Sequence, residues 1–255
     1  MVKKYVVRLI LETTSPLHIG TGAGESETLV EILRVNGRPL IPASSLKGAL
    51  RALAERIAKS SLDYLDKDER EAVERHRDDP LRGVIHLTRE EVENLLSQGD
   101  EGIERMKELE TRYAKLCPID RIFGCTSYAS ALKLTDCLAI QYTLDTLPGV
   151  GIDRETLRFK EGMLSFTQVV GGRANFAAYM IIDIERLSRT ARKLLASILT
   201  VLAEQGIQVG ARKSVGLGLI KVVREKCKAY LVDGVELLAK PKEESLEELM
   251  TKLRA

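Results

Sequence analysis

Apolar and polar positions alternate over residues 4–12 (KYVVRLILE), with β-branched residues prominent, and this predicts a strand. A second short extended run covers 29–35, and Asn36-Gly37 behind it is a strong turn signal. Past Pro42 the period changes. Leu46, Leu50, Leu53 and Ile57 recur at helical spacing, predicting a helix over about 45–59 with Ser44 as its N-cap. Residues 60–115 are charge-dense and follow a mostly helical pattern (DKDEREAVERHRDD, TREEVENLLSQ, EGIERMKELETRYAKL), so they read as a helical insertion. Strands are expected at 132–140 (LKLTDCLAI) and 176–184 (FAAYMIIDI). Between them, 143–175 carries Pro, Gly and many charges and reads as a projecting hairpin. Leu187, Ala191, Leu194, Leu195, Ile198, Val201 and Leu202 mark an amphipathic helix that Gly206 ends. A last strand is expected at 218–224, and Ser245-x-x-Glu248 is a capping box opening a short C-terminal helix.

Without its insertions the order is strand, helix, strand, strand, helix, strand. That is the split βαβ order of an α+β, ferredoxin-like (RRM-like) antiparallel sheet with helices, in one domain over 1–255.

Composition narrows the function classes. Apolar residues make up 44% of the 255 and charged residues 30%, a balance that supports a packed core. There is no Trp, and only four Phe and seven Tyr, which argues against stacking of bases on an aromatic platform as the main binding mode. A net charge of +2 neither demands nor excludes nucleic acid, since clustering of cations outweighs the total. No run of about 18 apolar residues predicts a membrane span, and the start MVKKYVVRLILE reads as a strand rather than a signal peptide. Four cysteines in a chain this long suit a reducing, cytoplasmic setting. Abundant Glu, Lys and Arg with few Asn and Gln point to a thermophile.

Three constellations carry candidate chemistry. Ser44-Ser45-Leu46-Lys47-Gly48-x-x-Arg51 opens a helix, where free N–H groups and the dipole attract anions. Ser44 and Ser45 add hydroxyls, and Lys47 and Arg51 share a face. The alternative is an ordinary helix start with two solvated cations. Gly210-Ala211-Arg212-Lys213-Ser214-Val215-Gly216-Leu217-Gly218 combines backbone freedom with adjacent cations, as a phosphate contact requires. It lacks the order of a Walker A loop, and a flexible connector is the competing reading. In Leu17-His18-Ile19-Gly20-Thr21-Gly22-Ala23-Gly24, His18 is either an RNA ligand or acid/base, or a hydrogen-bonded structural residue.

The blocks LHIGTGAGE, IPASSLKGALR, FGC, GIDRETL and GARKSVGLGLIKV, in this order, resemble the RAMP superfamily of CRISPR-associated proteins, and within it the backbone subunit of type III effector complexes acting in antiviral defence. The resemblance covers about 15–55 and 116–224. It implies a ferredoxin-like subunit that self-associates along the guide RNA (crRNA) and meets target RNA, other RAMP subunits and a large polymerase-like subunit. It implies guide-backbone contacts from Ser44, Ser45, Lys47 and Arg51 and from Gly210, Arg212, Lys213, Ser214 and Gly216. The block from Gly151 through Arg154 to Leu157 would open a thumb-like hairpin, 143–175, that wedges between bases, with Met163, Leu164 and Phe166 as candidate wedges. A packed loop is the alternative for those three.

The sequence also departs from that family. Slicing subunits carry an Asp that supports divalent metal at the target phosphate. Anchored on 37–42, that place holds Leu29, which binds no metal, although Glu25, Glu27 and Glu31 lie near. The expectation is a binding subunit without catalytic residues; the alternative is a Mg²⁺-dependent endoribonuclease acting through a displaced Glu. Relatives carry a Cys pair where this chain has Cys117 and Asp120. Cys117, Cys125 and His86 are candidate zinc ligands, but the C-x-x-C spacing is missing and no metal is assigned.

Overall fold

The computed structural model describes residues 3–20, 29–79, 83–156, 158–233 and 241–255. In chain order, β1 (Lys3–Thr13) is followed by β2 (Leu29–Val30), β3 (Arg34–Val35), β4 (Arg38–Ile41) and the helix α1 (Ala43–Ser60). Then come α2 (Lys67–Arg75), the hairpin β5 (Arg77–Asp79) and β6 (Gly83–Ile85), α3 (Arg89–Leu96), α4 (Asp100–Leu116) and α5 (Pro118–Phe123). The strands β7 (Leu132–Leu134), β8 (Cys137–Gln141), β9 (Leu144–Ile152), β10 (Phe159–Val170) and β11 (Asn175–Asp183) lead to α6 (Arg189–Glu204). The chain continues through β12 (Ile207–Gln208), β13 (Leu219–Val222), β14 (Lys228–Asp233) and β15 (Lys242–Glu244) to α7 (Leu246–Arg254).

The architecture is mixed α+β. The main sheet runs β12-β13-β1-β11-β8-β4-β3, and its strand pairs are antiparallel. β1 is central because its apolar alternation buries Tyr5, Val7, Leu9 and Leu11. β11 lies along one side of it over nine register pairs. The other side is shared: β13 takes Leu11–Thr13 and β14 takes Lys3–Arg8. Between the two, the Ile10 N–H donates to the Cys227 thiol sulfur at 3.2 Å. The helices α1, α5, α6 and α7 pack on one another and share one apolar cluster with the sheet. Ser188 caps α6 by accepting from the Ala191 N–H, and the Ser245–Glu248 capping box opens α7 as expected.

The mostly helical stretch 60–115 holds α2, α3 and α4 together with the short hairpin β5–β6. Three expectations need correction. The strand expected at 132–140 is broken in two: the Thr135 hydroxyl, rather than a strand carbonyl, accepts the Tyr179 N–H, and β8 begins afresh at Cys137. The run 29–35 divides between β2, which pairs with β10, and β3, which pairs with β4. β13 is not the last strand, because β14 and β15 follow and extend the sheet. Among the described residues, no helix is long and apolar enough to cross a membrane.

Candidate nucleic-acid interface

The two glycine-bearing segments are stitched together by main-chain hydrogen bonds. The Ala211 N–H donates to the His18 carbonyl at 2.9 Å, and the Gly218 N–H to the Pro16 carbonyl at 2.8 Å. The Leu219 N–H reaches the Ser15 hydroxyl at 2.9 Å. The loop projects from this seam with Arg212, Lys213, Ser214 and Gly216 exposed and Val215 71% exposed. Gly210 (φ 82°), Arg212 (φ 57°) and Gly216 (φ 87°) are left-handed and let the loop turn sharply. The Ala211, Val215, Gly216 and Leu217 N–H groups bond to carbonyls, so the loop offers its exposed Arg212, Lys213 and Ser214 side chains to an anion.

His18 takes no part in that surface. It is buried, and its Nδ1 lies 2.7 Å from the Gln168 carbonyl oxygen, a scaffold hydrogen bond to β10. Arg154 is exposed in the turn between β9 and β10, where the Asp153 carboxylate accepts from the Glu155 and Thr156 N–H groups.

The start of α1 differs from expectation. Pro42, not Ser44, is the N-cap residue and makes no side-chain cap. The Asp136 carboxylate, 93 positions along the chain, accepts the Ala43 N–H at 2.7 Å and places a negative charge where a phosphate would sit. Asp136→Ala is expected to cost about 1 kcal/mol of stability, the usual worth of an N-terminal cap, read as a lower urea midpoint. Ser44 is exposed and Ser45 half-buried. Lys47 turns its ammonium to the Ser130 hydroxyl at 3.3 Å, and burial together with the nearby Arg51 charge lowers its pKa. Arg51 points inward, 2.9 Å from the Asp120 carboxylate and 3.4 Å from Glu55.

The predicted cradle is therefore divided. Lys213 borders one open groove with Ala49, Ala52, Arg56 and Lys59 of α1, while Lys47 and Arg51 turn towards the 120–130 segment. Arg56 and Lys59 were missed. Their signal was in the sequence, one and two turns after Ala52 on the same helix.

Beneath Arg51 lies a polar cluster inside the protein, formed by His76, His86, Cys117 and Asp120, all buried. Burial alone would raise the Asp120 carboxyl, but the hydrogen bond from His76 and the close imidazole of His86 outweigh it and hold its pKa at about 2. Of the sequence-based candidates, Cys117 and His86 fall in this group and Cys125 does not. Of the carboxylates considered for slicing, Glu31 is exposed, and Leu29 is exposed and pairs with Phe166. Glu25 and Glu27 lie outside the described residues.

Comparison with known proteins adds three findings. No curated protein matches the chain. Among solved structures, a chain from the electron cryo-microscopy structure of the type III-B Cmr-beta bound to cognate target RNA is similar at TM-score 0.48 and 14% identity, covering 91% of this chain. This chain spans 61% of that one's length. The family model of the RAMP superfamily matches residues 10–221, from the end of β1 through α1 and both glycine-bearing segments into β13, and the chain belongs to the RAMP superfamily.

Proposed function

We propose that this protein is a guide-RNA-binding backbone subunit of a type III CRISPR ribonucleoprotein, holding crRNA phosphates while base pairing reads the target. One observation carries the reading: the exposed cationic loop 210–216 is fastened to the largely buried 15–20 segment, which anchors it as an outward ridge. Membership of the RAMP superfamily supports it. So does the strand order β13-β1-β11-β8 with helices α1 and α6, which is the order of a ferredoxin-like core. Arg212, Lys213, Ser214 and the groove cations Arg56 and Lys59 meet phosphate in this reading, and Arg51 serves the scaffold.

The β9–β10 hairpin takes the role of the thumb. Strand alternation puts Val150, Ile152 and Leu164 on one face, exposed at 53%, 65% and 45%. An apolar face left in water suits insertion between bases or packing on a second copy along the guide. Leu164 is thus one wedge. Phe166 is half-buried, paired with Pro148, and the Met163 side chain lies outside the described residues. Other RAMP subunits, a large polymerase-like subunit and target RNA complete the proposed assembly.

The test is a gel-shift titration with crRNA across a salt series. Affinity is expected to fall steeply with salt. Arg212→Ala combined with Lys213→Ala should weaken binding and flatten the slope of log K against log salt by about 1.4, at about 0.7 for each single-strand phosphate that is no longer neutralised. Arg89→Ala, on the far helical insertion, should change neither. An unchanged slope in the double variant would reject the loop as the RNA contact.

A further inference from the structure

We infer that His76, His86, Cys117 and Asp120 form a buried tetrahedral site for a zinc-class divalent cation, which fastens the helical insertion to the sheet-bearing core. This goes beyond the RNA reading and does not depend on it. The four residues come from separate places. His76 follows α2, His86 follows β6, Cys117 precedes α5 and Asp120 lies within it. Each is at most 3% exposed, and one donor atom from each falls within 4.8 Å of all the others. Two imidazoles, a thiol and a carboxylate are costly to bury side by side unless something binds them together.

The spacing suits a metal. Asp120 Oδ2 lies 3.2 Å from His76 Nδ1 and 2.9 Å from His86 Nε2, and Cys117 Sγ lies 3.6 Å from His76 Nδ1. Zinc bonds of ordinary length make the edges of a tetrahedron about 3.3–3.6 Å, close to these three edges, and the remaining edges contract from within 4.8 Å. The contact between His86 and Asp120 is short yet misaligned, and the buried His86 Nε2 has no hydrogen-bond partner. A buried imidazole nitrogen without a hydrogen-bond partner, within 4.8 Å of the other donors, is the observation that a cation would satisfy.

The outer shell follows the same logic. His76 directs its other nitrogen to Glu55 at 3.1 Å, and His86 directs its own to Glu110 at 3.1 Å. Glu110 is itself fixed by the His86 and Leu87 N–H groups. Arg51 holds Asp120 Oδ1, leaving Oδ2 to face inward. Carboxylates behind both imidazoles orient the rings and raise their donor strength, as they do around protein-bound zinc. Thiolate and imidazole donors favour zinc-class ions over Mg²⁺ or Ca²⁺.

The experiment uses the full chain, stripped with chelator and titrated with Co²⁺ and then Zn²⁺. One equivalent of Co²⁺ is expected to give tetrahedral d–d bands and a thiolate charge-transfer band, both abolished by one equivalent of Zn²⁺. Zn²⁺ should raise the melting midpoint by about 5–10 °C. Cys125→Ser should keep the full spectrum, and Cys117→Ser should lose the charge-transfer band. Glu110→Gln leaves all four donors in place and should weaken Zn²⁺ about 10–100-fold. Absence of tetrahedral bands in the unsubstituted chain, an unchanged spectrum in Cys117→Ser, or unchanged affinity in Glu110→Gln would each overturn the assignment.

Discussion

Asp120→Asn is expected to lower the unfolding free energy of the chelator-treated protein by about 3–5 kcal/mol, the usual loss when one partner of a buried charge pair is removed. Asp120 is fully buried, and three groups converge on its carboxylate: Arg51 at 2.9 Å, His76 at 3.2 Å and His86 at 2.9 Å. Asparagine keeps the shape but withdraws the negative charge at their centre. Arg51 is then left with only Glu55, at 3.4 Å, and the two histidines retain only their outer carboxylates. Arg51→Met should cost less, because Asp120 keeps both histidines. Urea denaturation with an unchanged m-value measures both variants. A loss below about 1 kcal/mol in Asp120→Asn would mean that the pair does not hold the insertion, a value typical of exposed ion pairs.

Gly210→Ala is expected to cost about 2–4 kcal/mol and to weaken RNA binding together with stability. The position is left-handed at φ 82°, and an added Cβ would overlap the His18 carbonyl oxygen and crowd the Ile19 side chain. Both obstacles belong to the seam between the two glycine segments, so relief requires prising the cationic loop off its support. Gly216→Ala is the control. Its φ of 87° carries the same backbone penalty, but nothing lies within 4 Å of the added Cβ, so a loss of about 1–2 kcal/mol is expected. Paired melting curves and crRNA titrations separate the two. Equal losses for both variants would show that strain alone, and not the seam, sets the cost.

Much of the fold was legible where one segment decides its own conformation. The alternation of β1, the apolar stripe of α6 and the Ser245–Glu248 box all specify their elements locally. Most of what escaped was settled by distant partners. Ser44 has the chemistry of an N-cap, but Asp136 arrives from the break between β7 and β8 and satisfies the Ala43 N–H instead. The β5–β6 hairpin escaped for a local reason: its first strand, Arg77–Asp79, is wholly charged and carries no strand pattern, although it pairs with Gly83–Ile85 close by. Zinc ligands announce themselves in a sequence chiefly as paired cysteines, whereas this cluster draws His76, His86, Cys117 and Asp120 from three stretches of chain. A usable signal existed, since two of the three histidines fall in a charge-dense segment. Arg51 was readable as a cation on a helix face but not as an inward one, because Asp120 is 69 positions away.

The central place of β1 has a consequence for how this protein is made. Its two neighbours on the sheet are β11 and the β13–β14 pair, so Lys3–Arg8 finds its full set of partners only when residues 228–233 have left the ribosome. Until then a strongly apolar ribbon waits with one edge unsatisfied, a state open to pairing with other nascent chains. Ladders that span more than 200 positions of sequence also close slowly. Assembly of the sheet is therefore a late event in synthesis, and chaperone protection of β1 during translation should govern how much soluble subunit a cell obtains.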